Sequence, residues 1–359
     1  MLVHICCSVD SHFFLQKLQK LYPDEKLVGF FYDPNIHPYS EYYLRLLDVK
    51  RSCKMLGVEL IEGEYDIKEW LEAVRGYESE PEKGQRCTLC FDNRVEASMK
   101  KAKELGIDKV TTTLLTSPKK SIEQLTTVGK KLAKKYEVEF ISVDFRKNGG
   151  TNEQFLLAKK DKLYHQNYCG CMYALSKQRD AQGKITNELF TDIAKQIQPN
   201  SIEEKIELYE KRVKLEKIGK NYDIVKSSFV NYRVLSSYLK VNKKIIPSYP
   251  LFYSYLKRKR VKLRVEKDIN NIYYAQRENV KFVNIDYFNK IMNLSYKNTK
   301  ELMFHPPLVE DEIKFRNLIE NSFYSLSPIV IVDKIDFKAF ELYLDAVYFN
   351  DIRENLLIF

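Results

Sequence analysis

The sequence predicts an α/β protein: a parallel sheet with helices on both faces, followed by a second, mostly helical C-terminal region. Three observations carry this. In the first 180 residues, short β-branched or aromatic runs alternate with longer amphipathic stretches. Ten of the twelve glycines precede residue 181, so the composition changes along the chain. A length of 359 residues, 44% of them apolar, suffices for two domains and excludes a wholly disordered chain.

The strands come first. LVHIC (2–6), KLVGFFY (26–32), VELIEG (58–63), KVTTTLL (109–115) and VEFISVD (138–144) are bounded by polar turns. Between them, 11–21, 39–56, 92–105 and 117–136 read as helices. In the second of these, Ser40 caps a stripe of Tyr43, Leu44, Leu47 and Cys53. Strand–helix alternation implies a parallel sheet covered on both sides. Ligands bind such sheets beyond the C-terminal ends of the strands. That edge would collect Cys6 and Cys7, the Asp33–His37 loop and the Thr116–Lys120 loop. QGK and QPNS near 181–200 mark a boundary, dividing the chain into 1–185 and 200–359. A helical stretch at 200–218 opens the second part.

The N-terminus, MLVHICC, has no basic leader region, and no apolar run approaches the roughly 20 residues of a membrane span. A cytoplasmic protein without a membrane partner is expected. The charge is uneven. There are 59 Lys and Arg against 49 Asp and Glu overall, but 17 against 4 within 211–270 and 5 against 11 within 301–359. A basic stretch beside an acidic tail suits a polyanionic partner. Composition by itself favours a solvated lysine-rich face.

All seven cysteines lie before residue 172, and six form close pairs: Cys6–Cys7, Cys87–Cys90 and Cys169–Cys171. This pattern argues for metal or thiol redox chemistry and against a disulfide framework. Cys-Thr-Leu-Cys lets two sulfurs converge on one soft metal, and a helix N-terminus favours the thiolate. Cys6–Cys7 can complete a four-thiolate site if the loop turns the backbone, which suits zinc or an iron–sulfur cluster. In Cys169-Gly170-Cys171 the glycine permits a tight fold, and a strained disulfide there would be easily reduced. Asp10 can cap the first helix, ligate a second metal or donate a proton. Arg86 can offset thiolate charge, and Cys53 reads as core. The loop Cys6-Cys7-Ser8-Val9-Asp10-Ser11 resembles the phosphate loop of pyrophosphatase-type ATP enzymes, whose folds are Rossmann-like (PP-loop, HUP). It lacks their glycines, which speaks against ATP use.

Residues 1–180 resemble the epoxyqueuosine reductase family QueH. The matching segments are HICC (4–7), GFFYDPNIHPYSEYYLR (29–45), QRCTLCFDNR (85–94), TTTLLTSPKK (111–120) and HQNYCGCMYAL (165–175), in family order. First motifs of the CCAPC type differ here, where Ser8-Val9-Asp10 stands instead. The resemblance implies an oxidoreductase performing the last step of queuosine synthesis, on epoxyqueuosine at the tRNA wobble position. It implies a 4Fe-4S cluster on Cys6, Cys7, Cys87 and Cys90, with Cys169 and Cys171 as a redox pair able to form a disulfide bond. A second division places some of these cysteines, with Asp10, around an additional mononuclear iron. An electron donor is a required partner. Residues 200–359 are an extension, in which 211–264, including Lys257-Arg258-Lys259-Arg260, is the candidate tRNA contact. An iron–sulfur tRNA-thiolating enzyme and a zinc-stabilised RNA-binding module are the competing readings.

Overall fold

The computed structural model describes residues 1–359 except 193, 195, 321, 323, 324, 337 and 338. The chain forms two units. The first comprises Met1–Leu189, Lys205–Ile224 and Leu356–Phe359, and the second Phe190–Glu204 and Val225–Asn355. The sequence placed one boundary near 181–200. The units are interleaved in sequence, because α8 passes from one to the other in its first turn and β6 and β13 do so at their ends.

The first unit opens with β1 (Leu2–Ile5), α1 (Ser8–Leu21), β2 (Val28–Phe31), α2 (Tyr39–Leu56) and β3 (Glu59–Glu62). It continues with α3 (Ile67–Ala73), α4 (Gln85–Glu104), β4 (Lys109–Thr112), α5 (Ile122–Tyr136) and β5 (Glu139–Phe140). α6 (Gly150–Lys160), α7 (Met172–Ala181) and α8 (Ile202–Lys217) follow. The five strands pair in parallel in the order β3-β2-β1-β4-β5. Each predicted strand is therefore present, although shorter than its apolar run. Right-handed crossovers put α1 and α2 on one face and α3 to α5 on the other. The strand order reverses between β1 and β4, which is the switch point where a ligand crevice opens. His4 fastens this point from within. Its ring nitrogens lie 2.8 Å from the Thr112 hydroxyl and 3.1 Å from the Tyr32 carbonyl. Burial lowers its pKa well below the usual range, so it is a neutral cross-strand tie.

The second unit is built on an eight-stranded sheet, ordered β7-β6-β13-β9-β10-β11-β12-β8. Its strands are β6 (Tyr222–Val241), β7 (Lys244–Ile246), β8 (Tyr249–Pro250), β9 (Arg260–Ile269), β10 (Ile272–Ala275), β11 (Lys281–Asn284), β12 (Ile329–Val332) and β13 (Ala339–Ile358). Among the described residues, three short helices accompany it: α9 (Ile285–Met292), α10 (Thr299–Phe304) and α11 (Val309–Glu320). The expected mostly helical region is thus corrected to a sheet with helices, although the helix expected at 200–218 is α8. The alternation along β12 shows how the core forms. Ile329 and Ile331 join Phe288, Leu302 and Phe315 from the helices, while Val330 and Val332 face a separate core with Leu263 and Phe340. Two hairpins turn on residue pairs with positive φ, Asn242–Lys243 (49° and 66°) and Asn270–Asn271 (54° and 66°). Such two-residue turns need both positions left-handed, which asparagine tolerates better than most residues.

Candidate functional site

The site is assembled by loops leaving β1, β2 and β4 and by the first turns of α4 and α7. β1 ends at Ile5, and the chain turns at once into α1, with Cys7 as the N-cap residue. This turn brings adjacent cysteines to one side. Cys6 Sγ lies 3.8 Å from both Cys7 Sγ and Asp10 Oδ2, and 3.7 Å from Thr113 Oγ1 at the end of β4. The ligand atoms of Cys6, Cys7 and Asp10 all fall within 4.8 Å of one another; they form the one such group of three among the described residues. Asp10 Oδ1 accepts a 2.6 Å hydrogen bond from Gln154 of α6, and burial pushes its carboxyl up. The hydrogen bond with Cys6, then burial, raise the Cys7 thiol well above its ordinary range. Two thiols and one carboxylate make a donor set suited to a single borderline metal ion.

Cys87 and Cys90 lie in the first turns of α4, three residues apart and so on one helix face. Neither joins the close group around Asp10. Cys90 is buried with Cys171 against Trp70 of α3 and Val74 just after it, and Cys169 packs on the same cluster. Lys120, after β4, brings a partly buried ammonium 3.0 Å from Cys169 Sγ. Its charge also acts on Cys87 and Cys90. Burial pushes Cys169 up, but Lys120 outweighs it and the thiol is pulled down to about 7. Burial raises Cys87 and Cys90, and with the Cys169 charge it pushes Cys171 to about 12. All seven cysteines are free thiols, so the structure shows no disulfide between Cys169 and Cys171. Four thiols beside a cation fit a soft, thiol-ligated group, because the cation offsets the charge of several thiolates.

The loop carrying Cys169 and Cys171 is pinned from α2. Arg45 donates to the carbonyls of Tyr168 (2.9 Å) and Cys169 (3.2 Å). Its own Nε–H goes to Glu41 at 2.7 Å, one turn back on the same helix. Gly170 has a φ of 107°, and a Cβ there would come within 2.8 Å of the Ile36 side chain. The Gly170 carbonyl accepts from the His37 N–H at 2.9 Å. A glycine is therefore required where the two cysteines turn towards the β2 loop, as the spacing suggested.

Several site residues escaped the sequence reading. Arg94, one helical turn beyond Cys90, is buried against Asp33, and its charge acts on Cys90, Cys6 and Cys169. Burial raises the Asp33 carboxyl to about 6, against the pull of Arg94 and Arg45. Asp33 Oδ2, Asn35 Oδ1 and Thr116 Oγ1 are buried with no hydrogen-bond partner among the described residues, all on the strand-end loops. Arg86, singled out for thiolate charge, does pull on the Cys87 and Cys171 thiols, and it also donates to the carbonyls of Glu78 (2.8 Å) and Glu80 (2.6 Å), holding the loop before α4. Cys53 lies in the core of α2 as expected, pushed by burial to about 12. A signal for Arg94, Asp33 and Arg45 was present, since each lies in a quoted motif. Nothing in the spacing tells which polar residue of a motif points inward.

A doubly wound α/β fold that gathers thiols and cations at its switch point is the class of protein the fold and site define. The sequence model of "Epoxyqueuosine reductase QueH" matches residues 1–177. The Epoxyqueuosine reductase QueH of Helicobacter pylori is 39% identical over 364 residues, covering 97% of this chain and 98% of that protein. The one of Thermotoga maritima is 33% identical over 190 residues, covering 52% of this chain and 96% of that protein. Among solved structures, the U34-tRNA thiolase NcsA from Methanococcus maripaludis with its [4Fe-4S] cluster aligns with a TM-score of 0.34 at 18% identity, covering 60% of this chain and 73% of that one. The chain belongs to the epoxyqueuosine reductase QueH family and is accordingly an oxidoreductase. Among the described residues no helix is long and apolar enough to cross a membrane.

Proposed function

We propose that the crevice reduces epoxyqueuosine to queuosine at the wobble position of a tRNA anticodon. The supporting observation is the gathering of six cysteines, Lys120 and Arg94 at the switch point of the family-matched unit. Opening an epoxide to an alkene releases its oxygen as water and consumes two electrons and two protons. Side chains alone cannot deliver this. In our reading Cys87, Cys90, Cys169 and Cys171 hold an iron–sulfur cluster, and Cys6, Cys7 and Asp10 hold a single iron. This is the second of the two divisions, favoured because, among the described residues, Cys6, Cys7 and Asp10 are the one group of three that closes to single-ion spacing. The cluster, when bound, supplies electrons from an external donor.

The chain's own residues do the rest. Lys120 and Arg94 balance the thiolate charge. Gln154 fixes the Asp10 carboxylate at 2.6 Å. Arg45 and Gly170 hold the Cys169–Cys171 turn. Asp33, with a pKa near 6 and one free oxygen, is the proton donor to the departing oxygen. The test is metal analysis of anaerobically purified protein. Wild type should carry about four sulfides and more than four irons per chain. Cys87→Ser with Cys90→Ser should lose the sulfide and the brown colour, and Asp10→Ala should lose only the extra iron. Loss of sulfide in Cys6→Ser but not in Cys171→Ser would restore the first division. A colourless protein holding zinc would remove the redox reading.

A further inference from the structure

We propose that the second unit binds the phosphodiester backbone of the tRNA body in a basic groove. This rests on the proposed tRNA substrate and supplies a site for the part of that substrate beyond the wobble nucleotide. The groove, about 730 Å³ in volume, lies on one face of the eight-stranded sheet. Among the described residues it is lined by Lys240, Lys243, Lys262, Arg264 and Arg277, with Glu341 as the one carboxylate. These cations come from three separate segments of sequence. The fold, and not a local charge run, brings them together.

Strand alternation explains how. Along β9 the side chains of Arg260, Lys262 and Arg264 are exposed, while Val261 and Leu263 enter the core. On β13, Tyr343, Glu341 and Ala339 stand opposite them in register. Gln276 and Arg277 lie beside Arg264, because the Gln276 N–H donates to the Arg264 carbonyl at 3.0 Å. Lys243 sits at the left-handed turn between β6 and β7, with φ 66°. Tyr238 of β6 stacks on Tyr343 with centroids 5.1 Å apart and planes at 11°. Lys240 lies 4.7 Å over the Tyr238 ring.

The charges are only partly spent. Glu341 is shared by Lys240 at 3.9 Å, Arg260 at 3.4 Å and Lys262 at 3.8 Å, each longer than a good hydrogen bond. Among the described residues no carboxylate pairs with Lys243, Arg264 or Arg277. The Lys262 side chain is 80% exposed, so meeting a phosphate costs little desolvation. A concave face with several unspent cations and one carboxylate fits a polyanion, and a backbone offers phosphates at regular intervals along such a groove. The linear run at 257–260 is a weaker candidate. Lys259 is paired with Asp345 at 2.7 Å, and Arg260 is drawn to Glu341 and Tyr238.

The test uses the full chain and an unmodified tRNA transcript, measured by fluorescence anisotropy over a range of salt. Lys243→Gln with Arg264→Gln and Arg277→Gln should weaken binding roughly tenfold or more and lower the log–log salt slope by about 2 to 3. Lys257→Gln with Arg258→Gln should change either by less than about twofold. Circular dichroism should show both variants folded, since every altered side chain is exposed. An unchanged affinity and slope in the triple variant would overturn the groove. So would a larger loss in the 257–258 variant. The outcome is independent of catalysis. Normal reduction with unchanged binding in the triple variant sinks the groove alone. Lost binding in that variant, with an iron-loaded wild type that leaves epoxyqueuosine intact, sinks the proposed reaction and keeps the groove.

Discussion

The two units use polar side chains in opposite ways. In the α/β unit the charges that matter are buried: Arg94 against Asp33, Arg45 against Glu41, and Arg212 against Asp48. In the sheet unit some charges, such as Arg316 and Glu312, are buried too, but Lys240, Arg260 and Lys262 stand on a strand face and converge on one carboxylate. Buried pairs fix geometry, which the redox chemistry proposed for the cysteine turns would require. Exposed cations keep their charge available to a partner. The relatives sharpen this contrast. An alignment of 190 residues accounts for 96% of the Thermotoga maritima protein, whereas the Helicobacter pylori protein aligns over 364 residues. The sheet unit is thus no requirement of the family name.

The contrast can be broken in three ways, ordered by expected effect. Lys120→Gln removes the cation that lies 3.0 Å from Cys169 Sγ. Turnover should fall roughly 10- to 100-fold, with a matching loss of bound iron, as for other groups supporting a metal site. Lys120→Arg should restore part of both. Steady-state reduction and iron analysis on the same preparations would check this. Retained turnover and iron in the Gln variant would mean that the crevice works without the ammonium.

Arg212→Ala tests the interleaving. Arg212 lies in the second half of the sequence, but its guanidinium is 2.5 Å from Asp48, both fully buried. Asp48 also accepts from Ser8 and from the Tyr164 N–H. Breaking one partner of such a pair should cost about 3 to 5 kcal/mol. The loss should appear in thermal unfolding of the α/β unit, although the altered residue lies beyond residue 200. A cut at 200 would remove this support as well as the sheet, so truncation there is a poor probe of RNA binding.

The smallest effect is a pH dependence in the sheet unit. Burial raises the Glu312 carboxyl to about 7, above its ordinary 4.5, despite hydrogen bonds from Tyr249 and the Phe252 N–H. The fold therefore holds a proton that the unfolded chain releases. Its contribution is present below pH 4.5 and lost as pH rises through 7. Wild type should lose on the order of 2 to 3 kcal/mol relative to Glu312→Gln across that window. Equal slopes in denaturant titrations would show that Glu312 ionises freely in the fold.

The α/β unit was largely legible because its signals are local. Apolar runs of strand length alternate with amphipathic helices, and three cysteine pairs stand next to their turns, although Ser40 does not cap α2, which starts from Pro38. The bounds slipped where apolar residues continued past the last ladder pair, as with Thr113–Leu115 after β4, which form a short 3-10 turn. Helix α4 starts at Gln85, earlier than the expected 92, because the cysteine motif itself forms its first turns. The sheet unit was less legible. Its hairpins turn on Asn242–Lys243 and Asn270–Asn271 instead of glycine pairs, so falling glycine content concealed the turns. In the crevice, cysteine spacing named the thiols. It did not name Lys120, Arg94 or Asp33, whose roles depend on which way a helix face or loop points after folding.

The most direct measurement is a single turnover by the full, iron-loaded chain on tRNA carrying epoxyqueuosine. The nucleosides would be analysed by mass spectrometry, with a chemical reductant as donor. The expected result is conversion to queuosine, one oxygen atom lighter, in proportion to the iron–sulfur content and absent in Cys87→Ser with Cys90→Ser. Intact epoxyqueuosine after incubation with the loaded, tRNA-bound protein would contradict the account.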